Sequence, residues 1–503
     1  MLTYGDNTKG REAVSRFDEM YMEIKKYFDK GEFAKAVEIA QLTARTMNIP
    51  ADKKYLYHEA LAMSYLMSGD WQNGWPHVKR CMELGNTPSY REKRCQLFSD
   101  LLVYLHFLPD LPDEEMIAKH REYGTLFGDI NQYVPEKSKH AQHKKIRVGY
   151  LSPDFYEHIV TNFAIQLYSA YDREHFEVHL YHTGGNHNSV TDWLAKLADG
   201  WHDLHGRTAA EIAAHIYEDE MDILVDLAGH TKGGLTLRAM AYKPAPIQLS
   251  GIGYFDTTGL PAVDYYITDN YCDPPGNERF FTEKLLRLPH SHFCYTPPET
   301  VLLCQNEWHL HQPVVFGSFS NFFKLNDAIL QTWLKILRQV PDSRLLLKNV
   351  HPKQEELDDM QRRLSRLGFP MERVELRLAS KYYLHEYADM DIALDPYPYP
   401  GGGTTCEAIY MGVPVISRYG QRHGSRFGYS ILQNIGLEEL TAATEEEYIE
   451  KAVQLAAAPE LLQDLHANLR QLMQSSPLMD ARGYLEAMQS RFIRIYRAWL
   501  EEN

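Results

Sequence analysis

Hydrophobic and polar positions alternate in two different ways along the chain. Up to about residue 125, apolar residues recur every three or four positions, which is the spacing of an amphipathic helix. From Ile146 onward, short apolar runs rich in β-branched and aromatic residues are separated by segments with helical spacing. The first pattern predicts an all-α region, and the second predicts mainly parallel sheets covered by helices.

The helical pattern of the first region breaks at Gly31 and at Gly69, and an acidic residue and then an aromatic residue follow each glycine. The distance between the two breaks is close to the period of about 34 residues of tetratricopeptide repeats. We therefore predict an all-α, tetratricopeptide-like domain over residues 1–130 and a polar linker over residues 131–145. Such a domain offers a docking surface for a protein. A helical bundle that only covers the next domain is the alternative.

The alternation of strands and helices occurs in two successive series. Strand-like runs of the first series include IRVGYLS, FEVHLYHT and MDILVDLAG, and the second series starts at VVFGSFS. We predict one Rossmann-like lobe over residues 146–312, ending in an irregular bridge over residues 296–312. A second lobe is predicted over residues 313–480, with a closing helix over residues 481–503. Two such lobes bind a ligand in the cleft at the carboxyl ends of their strands.

The stretch DIALDPYPYPGGGTTCEAIYMG has the pattern of a phosphate-binding turn. Its apolar run ends at Asp395, three prolines turn the backbone out of the sheet, and Gly401–Gly403 lead into a segment with helical spacing. Thr404 and Thr405 are expected to cap this helix, and the N–H groups of a helix start bind anions. Glu407 lies one turn farther, where it can accept hydrogen bonds from a ribose. An ordinary loop between a strand and a helix is the alternative.

Other polar side chains also follow predicted strands. They are Asp154, His158, His230, the loop Tyr254–Gly259, Lys324, Lys381 and His385. A lysine beside a helix start can stabilise a departing diphosphate without a metal ion, and a histidine can take a proton from an acceptor near neutral pH. Lys324 is therefore a candidate for the first task, and His158 or His230 for the second. Taken singly, each is also typical of surface charge or of a structural histidine.

Composition excludes several classes of protein. The net charge of −16 argues against general binding of nucleic acid or of anionic membranes. The six cysteines show no CxxC spacing, so neither a disulfide framework nor a zinc site is indicated. No apolar run has the length of a membrane span, and the N-terminus lacks the pattern of a signal peptide, so we expect a cytoplasmic protein. Walker A, GxSxG, HExxH and Rossmann GxGxxG motifs are missing from the expected places.

Six segments together resemble a known family. They are GYLSPDFYEH (149–158), DLAGHTKGG (226–234), KPAPIQLSGIGYFDTTGLPAVDYYITD (243–269), EKLLRLPHSHF (283–293), FSNFFKLN (319–326) and GGGTTCEAIYMGVPVIS (401–417). In order and combination they resemble the O-linked N-acetylglucosamine transferase family, glycosyltransferase family 41, including its bacterial members. The resemblance implies a GT-B fold and a metal-independent, inverting transfer of a sugar from a UDP-sugar to a protein side chain.

The resemblance also implies a role for each matching residue. Lys324 matches the lysine that holds the diphosphate and supports departure of UDP, and His158 matches a histidine considered as the base. Lys284 lies in a matching segment near the phosphates, while His230 is a second catalytic candidate at a motif position that varies among relatives. The phosphate-binding helix start, the ribose-contacting acid and the uracil segment are matched by Gly402, Gly403, Thr404, Thr405, Glu407, Ala379, Lys381 and His385. The acceptor-side loop is matched by Tyr254, Asp256, Thr257 and Thr258.

Two departures from the family pattern bear on specificity. Gly402 stands where the animal enzymes have a histidine, which removes one nucleotide contact. The loop YFDTTG stands where many relatives read YPGTSG, and its Phe255 and Asp256 alter the fit of acceptor or sugar.

The leading hypothesis is transfer of N-acetylglucosamine from a UDP-sugar to Ser or Thr of a protein such as a flagellin or an adhesin. The acceptor is expected to dock on the helical N-terminal region. No cofactor, metal ion, nucleic acid or membrane insertion is expected. An Asn-directed hexosyltransferase using UDP-glucose is the near alternative, and a UDP-sugar epimerase or a non-catalytic repeat scaffold is a more distant one.

Overall fold

The computed structural model describes residues 16–30, 32–67, 70–84, 91–304, 308–351 and 353–502. The chain divides into two units, one formed by residues 1–94 with 353–358 and the other by residues 95–352 with 359–503. Gly31 and Gly69, the predicted breaks between helices, lie outside the described residues.

The first unit contains consecutive helices. They are α1 (Arg16–Asp29), α2 (Phe33–Thr46), α3 (Lys54–Met67) and α4 (Trp71–Leu84). Ala36 and Ala40 of α2 are fully buried one turn apart, so the small side chains allow Phe17, Ile24 and Leu61 to pack against this helix. The prediction of an all-helical N-terminal region is confirmed.

Three helices lead to the first sheet: α5 (Arg91–Leu105), α6 (Asp113–Gly124) and α7 (Lys137–His140). Helix α7 lies in the segment predicted as a linker. His140 at its end is buried, and its Nδ1 lies 2.7 Å from Asp222 Oδ1. Tyr133 N–H donates to the carbonyl of Tyr242 at 2.8 Å. This polar segment is therefore bonded to the following lobe along its length.

The first lobe is a seven-stranded parallel sheet in the order β3-β2-β1-β4-β5-β6-β7. Its strands are β1 (Ile146–Ser152), β2 (Phe176–His182), β3 (Gly200–Asp203), β4 (Ile223–Asp226), β5 (Ile247–Ser250), β6 (Tyr265–Asp269) and β7 (Lys284–Leu288). Its helices are α8 (Ile159–Ser169), α9 (Ser189–Leu197), α10 (Ala209–Glu218), α11 (Leu235–Met240) and α12 (Glu299–Leu303). Helix α12 occupies part of the bridge that was expected to be irregular.

The second lobe is a six-stranded parallel sheet in the order β10-β9-β8-β11-β12-β13. Its strands are β8 (Val315–Phe319), β9 (Arg344–Lys348), β10 (Val374–Arg377), β11 (Ile392–Leu394), β12 (Val415–Arg418) and β13 (Thr441–Ala442). Its helices are α13 (Asp327–Gln339), α14 (Gln354–Leu367), α15 (Gly403–Tyr410), α16 (Phe427–Asn434), α17 (Glu445–Ala456), α18 (Pro459–Gln474) and α19 (Ala481–Glu501).

Strand order reverses between β1 and β4 in the first sheet and between β8 and β11 in the second. A crevice opens at such a point, outside the carboxyl ends of the strands. The last helix, α19, returns to the first lobe, where Tyr484 Oη donates to the carbonyl of His292 and Arg491 Nε to that of Arg287. The predicted fold class of two Rossmann-like lobes after an all-α region is confirmed. Within the described residues, no helix combines the length and apolar character required to cross a bilayer.

Candidate active site

Lys324 lies directly after β8, at the end of a 3-10 turn over Phe322–Lys324. Asn321 closes this turn by accepting from Phe323 N–H at 3.0 Å, and Asn326 caps α13 by accepting from Ile329 N–H at 2.9 Å. The position of the lysine is thus fixed on both sides. Its Nζ lies 4.3 Å from the centre of the Tyr399 ring. Burial lowers the pKa of Lys324 to about 8, and the nearby Asp395 carboxylate opposes this shift.

Asp395 follows β11 and connects this lysine to the glycine-rich turn. Its Oδ1 accepts from Gly401 N–H at 2.7 Å, and its Oδ2 accepts from Ser417 Oγ at 2.7 Å. Burial raises the pKa of Asp395 to about 6, while these hydrogen bonds and Lys324 act in the opposite direction. The carboxylate therefore neighbours both the ammonium group and the start of the turn.

Helix α15 begins at Gly403 with its first turn open. The N-cap is Gly402, and none of the described side chains caps it. The prediction that the two threonines cap this helix is wrong, because Thr405 Oγ1 donates backward to the carbonyl of Gly401 at 3.0 Å. Thr404 is half-buried beside it. The first N–H groups of α15 are consequently available to an anion, which the positive end of the helix dipole also favours.

The start of α8 in the first lobe meets the start of α15 in the second. A Cβ atom on Gly403 would lie 2.3 Å from Ile159 Cδ1, so only a glycine allows this approach. His158 directly precedes Ile159 and caps α8, with its Nδ1 accepting from Val160 N–H at 3.3 Å. The side chain is 31% exposed, with Nδ1 3.8 Å from Asp154 Oδ2. Burial lowers the pKa of His158, which keeps the imidazole neutral near pH 7 and able to take a proton.

Glu407 lies one turn into α15 and connects it to the predicted uracil segment. Tyr383 Oη donates to its Oε1 at 2.9 Å, and Tyr387 Oη approaches Oε2 at 3.5 Å. Burial raises the pKa of Glu407 to about 7. Both tyrosines belong to the segment after β10. This segment also carries the residues predicted to contact uracil: the half-buried Ala379 and the exposed Lys381 and His385.

His230 lies in the protein interior and has a structural role. It is fully buried, its Nε2 lies 2.9 Å from the carbonyl oxygen of Thr258, and its Nδ1 lies 3.0 Å from Ser99 Oγ. Burial lowers its pKa well below the ordinary value. With both ring nitrogens engaged and no exposed surface, it cannot reach a substrate, and the prediction of a catalytic role is wrong.

The loop predicted to face the acceptor points its polar side chains inward. Thr257 Oγ1 and Thr258 N–H donate to the buried Glu283 carboxylate at 2.6 and 2.8 Å, respectively. Asp256 Oδ2 is paired with Arg422 at 2.9 Å, and Tyr254 Oη lies 2.7 Å from His120 Nε2. All four predicted side chains are buried. Their assignment to acceptor contact is therefore wrong, because they hold the loop in place from within.

Lys284 lies at the wrong edge of the sheet for the role predicted near the phosphates. It is the first residue of β7 and is paired with Tyr265, the first residue of β6. In a parallel sheet this is the amino edge, opposite the carboxyl ends that form the cleft. Its side chain is exposed and lies 5.9 Å from the Tyr265 ring centre.

The structure adds Lys232, a lysine after a predicted strand to which sequence reasoning assigned no role. Its Nζ donates to Asp154 Oδ1 at 2.5 Å and to Tyr156 Oη at 3.3 Å, and its side chain is 46% exposed. Asp154 thus links Lys232 with His158. Lys232 lies in the turn Thr231–Gly234 that follows β4, within one of the six segments above, and this position was the signal that could have identified it.

Comparison with known proteins agrees with this geometry. Residues 126–298 and 294–488 match the model of glycosyl transferase family 41. The chain belongs to glycosyltransferase family 41. It is 35% identical over 413 residues to a tomato protein named probable UDP-N-acetylglucosamine--peptide N-acetylglucosaminyltransferase SPINDLY, covering 80% of this chain and 44% of that protein. The rice protein of the same name is 36% identical, with the same coverages. This family 41 chain therefore spans less than half the length of these relatives.

A solved structure is similar over nearly the whole chain. A mutant of the Thermobaculum terrenum O-GlcNAc transferase has a TM-score of 0.78 and 26% sequence identity, covering 97% of this chain and 99% of that one.

Proposed function

We propose that this protein is a UDP-sugar-dependent protein glycosyltransferase that transfers N-acetylglucosamine to Ser or Thr of a protein acceptor with inversion at the anomeric carbon. Family membership and the names of its relatives support the reaction class. The observation that carries the proposal is the half-buried Lys324 ammonium, which interacts with Asp395, the carboxylate that accepts from Gly401 N–H just before the open start of α15.

The diphosphate of the donor binds at the start of α15, where N–H groups, the Thr404 hydroxyl and the helix dipole receive its charge. Lys324 supplies the positive charge that stabilises UDP as the bond to the sugar breaks. A pKa of about 8 leaves its amine mostly protonated at pH 7, and partial burial strengthens its interaction with the leaving group. Glu407 accepts hydrogen bonds from the ribose, and segment 379–385 holds the uracil.

His158 removes the proton from the acceptor hydroxyl. The resulting alkoxide attacks the anomeric carbon on the face opposite the diphosphate, the new carbon–oxygen bond forms as the bond to UDP breaks, and the configuration inverts. The proton remains on His158 and the negative charge leaves with UDP. Because the lysine and the helix start neutralise that charge, the proposed reaction requires no divalent metal.

The acceptor needs room beside the donor. A cavity of about 420 Å³ is lined by the connection between α5 and α6 and by Tyr397, Tyr419 and Arg422. Asn326 of the Lys324 segment donates to the Tyr397 carbonyl at 2.8 Å, so the cavity borders the proposed donor pocket. We assign this cavity to the acceptor segment and the helices α1–α4 to the docking of the rest of the acceptor, for example a flagellin or an adhesin.

The test is release of UDP and transfer of sugar by purified protein in excess EDTA. We expect turnover with UDP-N-acetylglucosamine, and a loss of at least about 100-fold in Lys324→Ala with the fold retained. Lys335→Ala is the matched control, because Lys335 is an exposed lysine of α13 that is paired with Glu445 at 2.6 Å. Equal turnover in wild type and Lys324→Ala would refute the role of Lys324.

Three further measurements distinguish the possible donors and acceptors. UDP-glucose as the better donor with a hexose on Asn would favour the alternative hexosyltransferase. Competition by GDP as strong as that by UDP would contradict the uracil assignment of segment 379–385. Intact-mass analysis of a co-expressed flagellin or adhesin gives the mass of the added sugar, and no release from any donor would favour a non-catalytic scaffold.

A further inference from the structure

Three side chains of types that can ligate a metal meet at the edge of the seven-stranded sheet. His202 belongs to β3, the edge strand, while His215 and Asp219 lie one turn apart at the end of α10. His202 Nδ1 lies 2.8 Å from His215 Nε2, and Asp219 Oδ2 lies 3.6 Å from each of these nitrogens. Ligand atoms about 2 Å from a tetrahedral ion are separated by about 3.3 Å. The triangle formed by the three atoms therefore has the size of one face of such a coordination sphere.

Neighbouring side chains hold two of these groups in place. His179 Nδ1 lies 3.0 Å from His202 Nε2, and Tyr181 Oη donates to Asp219 Oδ2 at 2.8 Å. Hydrogen bonds of this kind fix the ring orientation and tautomer of a metal ligand.

We propose that His202, His215 and Asp219 form a zinc-binding site that joins strand β3 to helix α10. Two imidazoles and a carboxylate are ligands that zinc accepts, with a fourth position for water, whereas magnesium requires oxygen ligands. The His215 and Asp219 side chains are 42% and 26% exposed, so an ion reaches the site from solvent. Neither β3 nor α10 carries a residue of the proposed donor pocket, so this is a separate site.

In the described part of the chain, His179 also lies close enough to His202 and Asp219 to complete a set of three. Two groups lie elsewhere: His140 with His143 and Asp222, and Cys272 with His292 and His423. In the first group both histidines already bond Asp222, whose Oδ2 also accepts from Arg147 N–H at 2.8 Å. In the second group all three residues are fully enclosed. These groups have less freedom or access to take up an ion and serve as internal controls.

The experiment is titration of the metal-free full chain with Zn²⁺, by calorimetry and by competition with a chromophoric chelator, and with Co²⁺ as a spectroscopic probe. We expect one equivalent of Zn²⁺ to bind and Mg²⁺ not to compete. His215→Ala and Asp219→Asn should each abolish this binding, and Tyr181→Phe should weaken it about 10- to 100-fold. His187→Ala is the matched control, because His187 pairs with a single carboxylate, Asp192, at 2.9 Å on the surface.

The partly exposed His215 can be replaced without loss of the fold, which circular dichroism verifies, and transfer of sugar should be unchanged in His215→Ala. No binding of Zn²⁺ by the wild type would overturn the proposal. So would binding that survives His215→Ala and Asp219→Asn, or that is lost in His143→Ala or Cys272→Ser instead.

Discussion

Two histidines that both follow strands of the first lobe have opposite environments. His158 is partly exposed and caps α8 through Nδ1, whereas His230 is fully buried with both nitrogens engaged. At the scale of the residue, the available nitrogen decides which of them can take a proton from an acceptor. Sequence position alone could not separate them, because it gives the place of a side chain along a strand but not its surroundings.

A pair of substitutions tests this difference. Asn also caps helices but does not accept a proton near pH 7, so His158→Asn should lower kcat about 100-fold or more and leave Tm nearly unchanged. His230→Ala removes one partner each from the buried Ser99 hydroxyl and the Thr258 carbonyl and should cost about 2 kcal/mol of stability, with near-normal kcat per folded molecule. Steady-state kinetics and thermal unfolding measure both. The reverse pattern would return the base assignment to His230.

The pKa of Lys324 predicts the alkaline limb of the pH profile. A value of about 8, below the ordinary value because of burial, means that the free enzyme loses this positive charge as pH rises through 8. Because the diphosphate requires the protonated amine, kcat/KM for the donor should fall above about pH 8. In Lys324→Arg, whose guanidinium stays protonated, we expect lower activity without this limb. A limb that is unchanged in Lys324→Arg would assign the titration to another group.

At the scale of elements, the site is built where two helix starts approach each other. The glycine-rich stretch could be predicted because prolines, glycines and a helical pattern are local features. Its contact with Ile159 could not be predicted, since it joins residues more than two hundred positions apart. The same limit explains the loop Tyr254–Gly259, whose hydroxyls suggested a polar surface. Thr257 and Thr258 instead donate to Glu283, which lies beyond the next strand, so this part of the loop faces the protein interior.

Replacement by alanine should have different effects at the two neighbouring glycines of this turn. A methyl group on Gly403 would lie 2.3 Å from Ile159 Cδ1, whereas one on Gly402 would have its nearest neighbour, Phe163, at 3.8 Å. Gly403→Ala should therefore push α8 and His158 away from the donor and lower kcat/KM at least about 10-fold, while Gly402→Ala should have a smaller effect. Adding Ile159→Ala to Gly403→Ala removes the clashing atoms and should restore part of the activity. Equal losses in both single variants, without rescue, would contradict this packing.

For the whole molecule, the general architecture could be predicted, but the connections between its parts could not. Alternating patterns in the second region were sufficient for two parallel sheets, because buried parallel strands and amphipathic helices have distinct periods. No sequence pattern, by contrast, predicted the contacts of Arg422. In the structure its Nε donates to Asp113 Oδ1 of α6 at 2.7 Å, and its Nη1 donates to Asp256 Oδ2 of the first lobe at 2.9 Å. One guanidinium of the second lobe thus bonds two other segments.

The burial of this guanidinium allows a prediction about the stability of the molecule. The Arg422 side chain is 7% exposed and that of Asp256 is 2% exposed, so Arg422→Met leaves a buried carboxylate without its cation. We expect a loss of about 3–5 kcal/mol in the free energy of unfolding, measured by denaturant titration. Adding Asp256→Asn removes the uncompensated charge, so the double variant should be more stable than Arg422→Met alone. If the losses of unfolding free energy in the two single variants simply add in the double variant, the two groups do not act as an ion pair. The stabilising contribution of Arg422 would then come from packing of its aliphatic stem.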